Sequence, residues 1–361
     1  MSIIDIIRFI LGTIFLASGL IIFIIEILSA RFIAAQNGSI LLISNCVKSF
    51  TKDSLESKLV TIKVEGGKGG HSGLVNEGSY DPFCVLARFA QAIIDSNKTI
   101  QLHSLSTTDE LKNAVPEDAT ITFISSATED EIKQIIKPVF EQFQAEYPAE
   151  KNMSYSVSVA ASSTNKVISQ EDSEHLVEFM NSVWYGPFSY FPNGALEASA
   201  NISPFWLDLD KTWDDSDKTT AQFYVYQLAR YNTYSKDDVF KLMGTYSQQI
   251  LKSYFSDRAF DLDDLYEEDA GYPVWYKAGE NPLIEISRKA IRRQGIEPSY
   301  PIGHGGTECS FFCVPDQNPN INQLNWGPDT VDEHTVRETL YLDSYQRFIQ
   351  EIIDILHSMN F

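Results

Sequence analysis

Between residues 59 and 160 the hydrophobic period passes through a fixed succession of strand and helix patterns, and that succession constrains the fold more than any other feature. Leu59–Val64 alternates apolar and polar residues, the period of a half-buried strand. Asp81–Ser96 reads as a helix with Pro82 in its first turn, where a missing N–H costs nothing. Ile100–Leu105 and Ala119–Ile124 read as two further strands. Glu129–Tyr147 sets Ile132, Ile135, Ile136, Val139, Phe140 and Phe143 at helical spacing, and Tyr155–Ala160 returns to strict alternation.

The order β-α-β-β-α-β is that of a ferredoxin-like unit. A similar order follows it. Glu171–Tyr185 is helical, Leu196–Ile202 and Thr220–Leu228 read as strands, Lys236–Tyr254 as an amphipathic helix, and Asp261–Tyr266 as a weak last strand. The acidic loop between the two strands (Asp208, Asp210, Asp214, Asp215, Asp217) lacks EF-hand spacing and its glycine, and reads as solvated. Farther on, Pro282–Gln294 is a helix, Gln323–Trp326 a strand and Leu342–Leu356 a closing helix, an alternation that belongs to a layered α/β sheet. The expected fold class is α+β: ferredoxin-like units over 57–163 and 164–266, then part of an α/β domain over 267–361.

The first thirty residues have another character. Phe9–Ile25 carries no charge, and with its apolar flanks the run 6–28 is long enough to cross about 30 Å of hydrocarbon. The leader is net neutral and no small-x-small cleavage site follows closely, so the expectation is a transmembrane helix over 1–30 and not a signal peptide. Residues 31–56 read as a linker. Arg31, Lys48 and Lys52 against Arg8 place the following part in the cytoplasm, giving a single-pass membrane localisation. Four cysteines make no disulfide scaffold, and Cys309 with Cys313 supply too few thiolates for a zinc site of their own. With 28 Lys and Arg against 49 Asp and Glu, the charge of −21 argues against a nucleic-acid partner.

Two motifs carry chemistry. Gly66-Gly67-Lys68-Gly69-Gly70-His71-Ser72-Gly73 follows a strand, its glycines allowing a tight turn that holds His71 at the tip. No GK[ST] follows, so it is not a phosphate loop. In Pro301–Cys309 (PIGHGGTEC) the imidazole of His304 and the carboxylate of Glu308 stand four apart beside two glycines. His103, His175, His334 and His357 read as surface or packing residues.

In order and spacing these motifs resemble the aminoacyl-histidine (Xaa-His) dipeptidase branch of the di-zinc aminopeptidase and carboxypeptidase superfamily, over roughly residues 57–357. GGKGGHSG is similar to the family's K-G-G-H-S-G lid motif, Leu111–Phe123 to its R-N-A-I-P-R segment, Leu196–Asn201 to E-T-S-L-N, Gly271–Trp275 to Y-P-G-W, and GHGGTEC to I-H-A-G-L-E-C-G. The resemblance implies a two-part lid followed by the C-terminal part of a zinc-peptidase catalytic domain. It implies zinc as cofactor, His71 as the histidine that stabilises the oxyanion, His304 as a late zinc ligand, and Asn201 and Arg230 as residues that grasp a small peptide.

The departures matter as much. The family's H-x-D motif, bridging Asp and Glu-Glu pair have no counterpart before Lys58, and its G-P-H-S-P becomes Gly327-Pro328-Asp329-Thr330-Val331. One imidazole cannot hold a zinc pair, which needs several donors within about 2.0–2.3 Å. The expected function is therefore a dipeptidase-like protein, truncated and inactive alone or completed by a companion chain or self-association. Two alternatives stay open: a membrane-tethered binding or dimerisation module without chemistry, and an active metallodipeptidase using Glu308, Asp329 and the acids of 261–269.

Overall fold

In the computed structural model of the chain, the described residues are 36–47, 58–107, 113–161, 166–183, 185–212, 220–231, 249, 253, 281–298, 304, 322 and 324–359. The first is β1 (Gln36–Val47), a twelve-residue strand inside the expected linker. The alternating segment 58–65 forms β2 (Lys58–Glu65), whose Val60, Ile62 and Val64 are fully buried on one face. After the short β3 (Gly70–His71) comes α1 (Pro82–Asp95), started by the Asp81 side chain accepting from Phe83 N, with Pro82 at the first helical position. The strands β4 (Gln101–Thr107), β5 (Ala114–Val115) and β6 (Ala119–Ser125) lead to α2 (Glu129–Glu146), and β7 (Ser154–Ala161) closes the unit. These strands lie in the order β7-β2-β6-β4, each pair antiparallel, the ferredoxin-like arrangement expected of 57–163. Phe83, Leu86, Phe89 and Ile93 of α1 and Ile132, Ile136 and Phe143 of α2 fill the core against this sheet.

The second unit begins with α3 (Gln170–Ser182), followed by β8 (Gly186–Tyr190), β9 (Leu196–Asp208), the single-turn α4 (Leu209–Thr212) and β10 (Thr220–Tyr231). It does not form a sheet of its own. β4 pairs with β9 through Ser104↔Asp208, Leu105↔Leu207 and Ser106↔Trp206, and the sheet runs on through β10 to β1. Both expected units therefore share one eight-stranded sheet and one core. β9 continues well past Ile202, absorbing the start of the acidic loop, while β8 went unforeseen because Gly186-Pro187 interrupts its pattern. The expectation of a linker over 31–56 is corrected by β1, which pairs antiparallel with β10 over its whole length. The expected helix 236–254, apart from the helical 249 and 253, and the strand 261–266 lie outside the described residues.

The C-terminal region contributes α5 (Pro282–Arg293), a two-residue-per-strand hairpin of β11 (Thr330–Val331) and β12 (Thr339–Leu340), and α6 (Leu342–Ser358). Ala290, Leu324, Trp326, Phe348 and Ile355 form a small core between the two helices. The strand expected at 323–326 is absent: residues 324–329 carry no regular structure, although Leu324 and Trp326 bury as a strand face would. The membrane expectation is also corrected. Among the described residues no helix is long and apolar enough to cross a membrane, and the run 6–28 lies outside them, so the single-pass localisation is withdrawn.

Candidate functional site

The glycine-rich loop leaves β2 at Gly66, whose φ of +76° and 2.7 Å approach of a would-be Cβ to the Asn152 carbonyl admit only glycine. Both ends of the loop are tied to one buried carboxylate, because Glu150 accepts from Lys68 N at 2.7 Å and from Tyr80 N at 2.6 Å. This delivers His71 to β3, where it pairs with Ala114 of β5. Its Nδ1 accepts from Gly73 N at 2.9 Å, so the neutral ring carries its proton on Nε2 and serves as a hydrogen-bond donor. Burial, and after it the charge of Arg230, lowers the His71 pKa to about 2. The ring is neutral at pH 7.

Arg230 lies on β10 opposite Ser199 of β9, and is 2% exposed. Its Nε and Nη2 donate to Ser72 Oγ at 3.1 and 2.8 Å. Two residues from Ser199, and so on the same face of β9, Asn201 donates from Nδ2 to Ala114 O at 2.9 Å while its buried Oδ1 has no hydrogen-bond partner among the described residues. Of the segment 301–309 only His304 is described. Its Nε2 lies 2.9 Å from Ser199 Oγ, its buried Nδ1 has no partner among the described residues, and burial followed by Arg230 lowers its pKa to about 3. The fit is close, since a Cβ on Gly73 would come within 2.7 Å of the His304 carbonyl oxygen.

Residues 71, 201, 230 and 304, picked from four separate stretches of sequence, thus meet at one place. The sequence reading missed several neighbours. Ser72 and Ser199 were inside quoted motifs, as the residue after His71 and the one two before Asn201, but nothing marked them as partners of Arg230 and His304. His334, read as surface or packing, stacks on His71 with ring centroids 4.8 Å apart and planes 23° from parallel. Its Nε2 lies 3.4 Å from Asn113 Nδ2. Glu150 carried no signal beyond a lone acid in a polar turn.

The donor set tests the expected zinc. A neutral imidazole with an unpartnered Nδ1 at His304 is a suitable single ligand, but among the described residues no group of three or more His, Cys, Asp and Glu side chains is placed to hold a metal ion. Asp329 instead faces Arg347 at 3.7 Å, and Glu308 and 261–269 lie outside the described residues. The described donors do not fit a zinc pair. What they do offer is a buried permanent cation, a neutral imidazole donor and an uncommitted amide acceptor, a set suited to the carboxylate and backbone of a short peptide.

No family model matches the sequence, and neither does any curated relative. Among solved structures the fold is similar to an aminoacylhistidine dipeptidase from Vibrio alginolyticus, with a TM-score of 0.62 at 18% identity over 90% of this chain. The chain spans 62% of that protein's length. A tripeptidase from Staphylococcus aureus (TM-score 0.35, 10% identity, 90% of this chain and 54% of that one) and an aminopeptidase from Bacillus cereus (0.22, 12%, 91% and 55%) also match, too distantly to bear on the fold. The architecture is a mixed α/β fold similar to that of the Vibrio alginolyticus protein. At the level of fold, the resemblance drawn from the motifs to the aminoacyl-histidine dipeptidases is supported.

Proposed function

We propose that this chain is a dipeptidase-like protein that binds short peptides through His71, Asn201, Arg230 and His304, and that hydrolysis depends on metal donors supplied by a companion chain or a second copy. The observation that carries this reading is the convergence of those four side chains, with two buried polar atoms, Asn201 Oδ1 and His304 Nδ1, left without a partner among the described residues. Buried polar atoms without partners are costly, and a ligand that satisfies them recovers that cost. In the bound state Arg230 attracts the peptide carboxylate, Asn201 Oδ1 accepts a peptide N–H, and His71 Nε2–H donates to the carbonyl that would become an oxyanion.

Titration calorimetry with an aminoacyl-histidine dipeptide tests the reading. Binding is expected without turnover, and Asn201→Ala, checked for folding by circular dichroism, is expected to weaken it about tenfold, the worth of one buried hydrogen bond. Dipeptide hydrolysis by the purified chain with zinc alone would overturn the need for further donors; equal affinity in Asn201→Ala would overturn the site.

A further inference from the structure

We propose that His334 is a positioning residue for His71, and that the turn Asp332–Glu338 is the clasp that holds it there. The turn is built for one shape. Thr335 N donates to Asp332 O and Glu338 N to Thr335 O, both at 3.1 Å, and His334 N donates to the Glu338 carboxylate at 3.1 Å. Asp332 at φ +54° and His334 at φ +63° hold left-handed conformations that residues with a Cβ rarely adopt, and these bonds sustain them.

The clasp is fastened to the loop that carries His71. Arg337 donates from Nη1 to Glu117 Oε2 at 2.9 Å and from Nη2 to Lys68 O at 3.0 Å. Glu117 in turn accepts from Gly67 N through its backbone oxygen at 2.9 Å. Asn113 ties the His334 ring to the backbone next to His71, its side-chain amide nitrogen 3.4 Å from His334 Nε2 and its carbonyl accepting from Ser72 N at 3.0 Å. The Gly73 N–H fixes only the Nδ1 edge of His71, so the stacked His334 ring sets the plane and with it the direction of Nε2–H. Positioning of this kind matters because a donor serves an oxyanion only within a narrow range of distance and angle.

The inference rests on the reading of His71 as the donor facing the peptide. It is tested with His334→Ala, His334→Phe and Arg337→Ala, using the aminoacyl-histidine dipeptide by calorimetry and the His71 imidazole signals in 15N-labelled protein. A ring–ring contact of this type is worth up to about tenfold in an equilibrium. His334→Ala is expected to weaken binding by up to that factor and to shift and broaden the His71 Nε2 signal. His334→Phe, which keeps a flat ring, is expected to restore both, and Arg337→Ala, at an exposed clasp residue, to reproduce part of the loss. An unchanged His71 signal with unchanged affinity in His334→Ala, or tighter binding, would overturn the proposal. Should the wild-type chain bind no dipeptide, the peptide reading fails on its own, and the imidazole signals alone decide: altered in Ala and restored in Phe supports positioning, unaltered in Ala overturns it.

Discussion

Glu150 governs the site from outside it. Its carboxylate accepts two backbone N–H groups that would otherwise be stranded in a buried turn, and a hydrogen bond to a charged group is worth about 1.5–3 kcal/mol. Glu150→Ala is expected to lower unfolding free energy by about 2–4 kcal/mol in urea titration, loosening the loop that presents His71. Burial raises the Glu150 pKa above its ordinary value, so the folded state holds this proton more tightly than the unfolded chain does. Stability from this group is therefore fullest below pH 4.5 and declines as pH rises through the raised value. Against Glu150→Gln, which does not titrate, the stability margin of wild type is expected to narrow across that window. Residues 71, 201 and 304 were legible because each sits in a short ordered motif, and 230 only through the resemblance that those motifs carry. Glu150 and His334 were not, since their importance comes from contacts 82 and 263 positions away along the chain, through a turn and a left-handed backbone that no local pattern announces.

Among the elements, α2 shows how far local chemistry reaches. Thr128 accepts from Glu131 N while the Glu131 carboxylate accepts from Thr128 N, a reciprocal cap that stops the helix from fraying. Thr128→Ala is expected to cost about 1 kcal/mol in thermal unfolding, with the peptide site unaffected. Helices and strands of the first unit were readable from period alone, because apolar residues at Val60, Ile62 and Val64 or Ile132, Ile136 and Phe143 face one core. The seam between β4 and β9 was not. Its register joins residues about a hundred positions apart, and edge pairing leaves no trace in either strand's own alternation. Across that seam Phe83 of α1 packs on Phe205 of β9 with ring centroids 3.8 Å apart. Phe205→Ala is expected to cost about 3–5 kcal/mol and to shift the unfolding of both halves together, measured as one transition by fluorescence and circular dichroism.

At the scale of the whole molecule, the small core of Ala290, Leu324, Trp326, Phe348 and Ile355 stands apart from the large one. Phe348→Ala is therefore expected to raise hydrogen exchange in α5 and α6 while leaving α1 and α2 protected. A last consequence follows from Arg230. Its guanidinium does not deprotonate in any ordinary buffer, so this buried positive charge is permanent, yet it sits inside a molecule of net charge −21. An acidic visitor is repelled at long range and welcomed only on arrival. Dissolved salt mutes the distant repulsion far more than the enclosed attraction, because the screening length is about 10 Å at 0.1 M. An acidic peptide should therefore associate faster as sodium chloride is added, the reverse of the behaviour of a protein whose outer field and inner cation agree in sign.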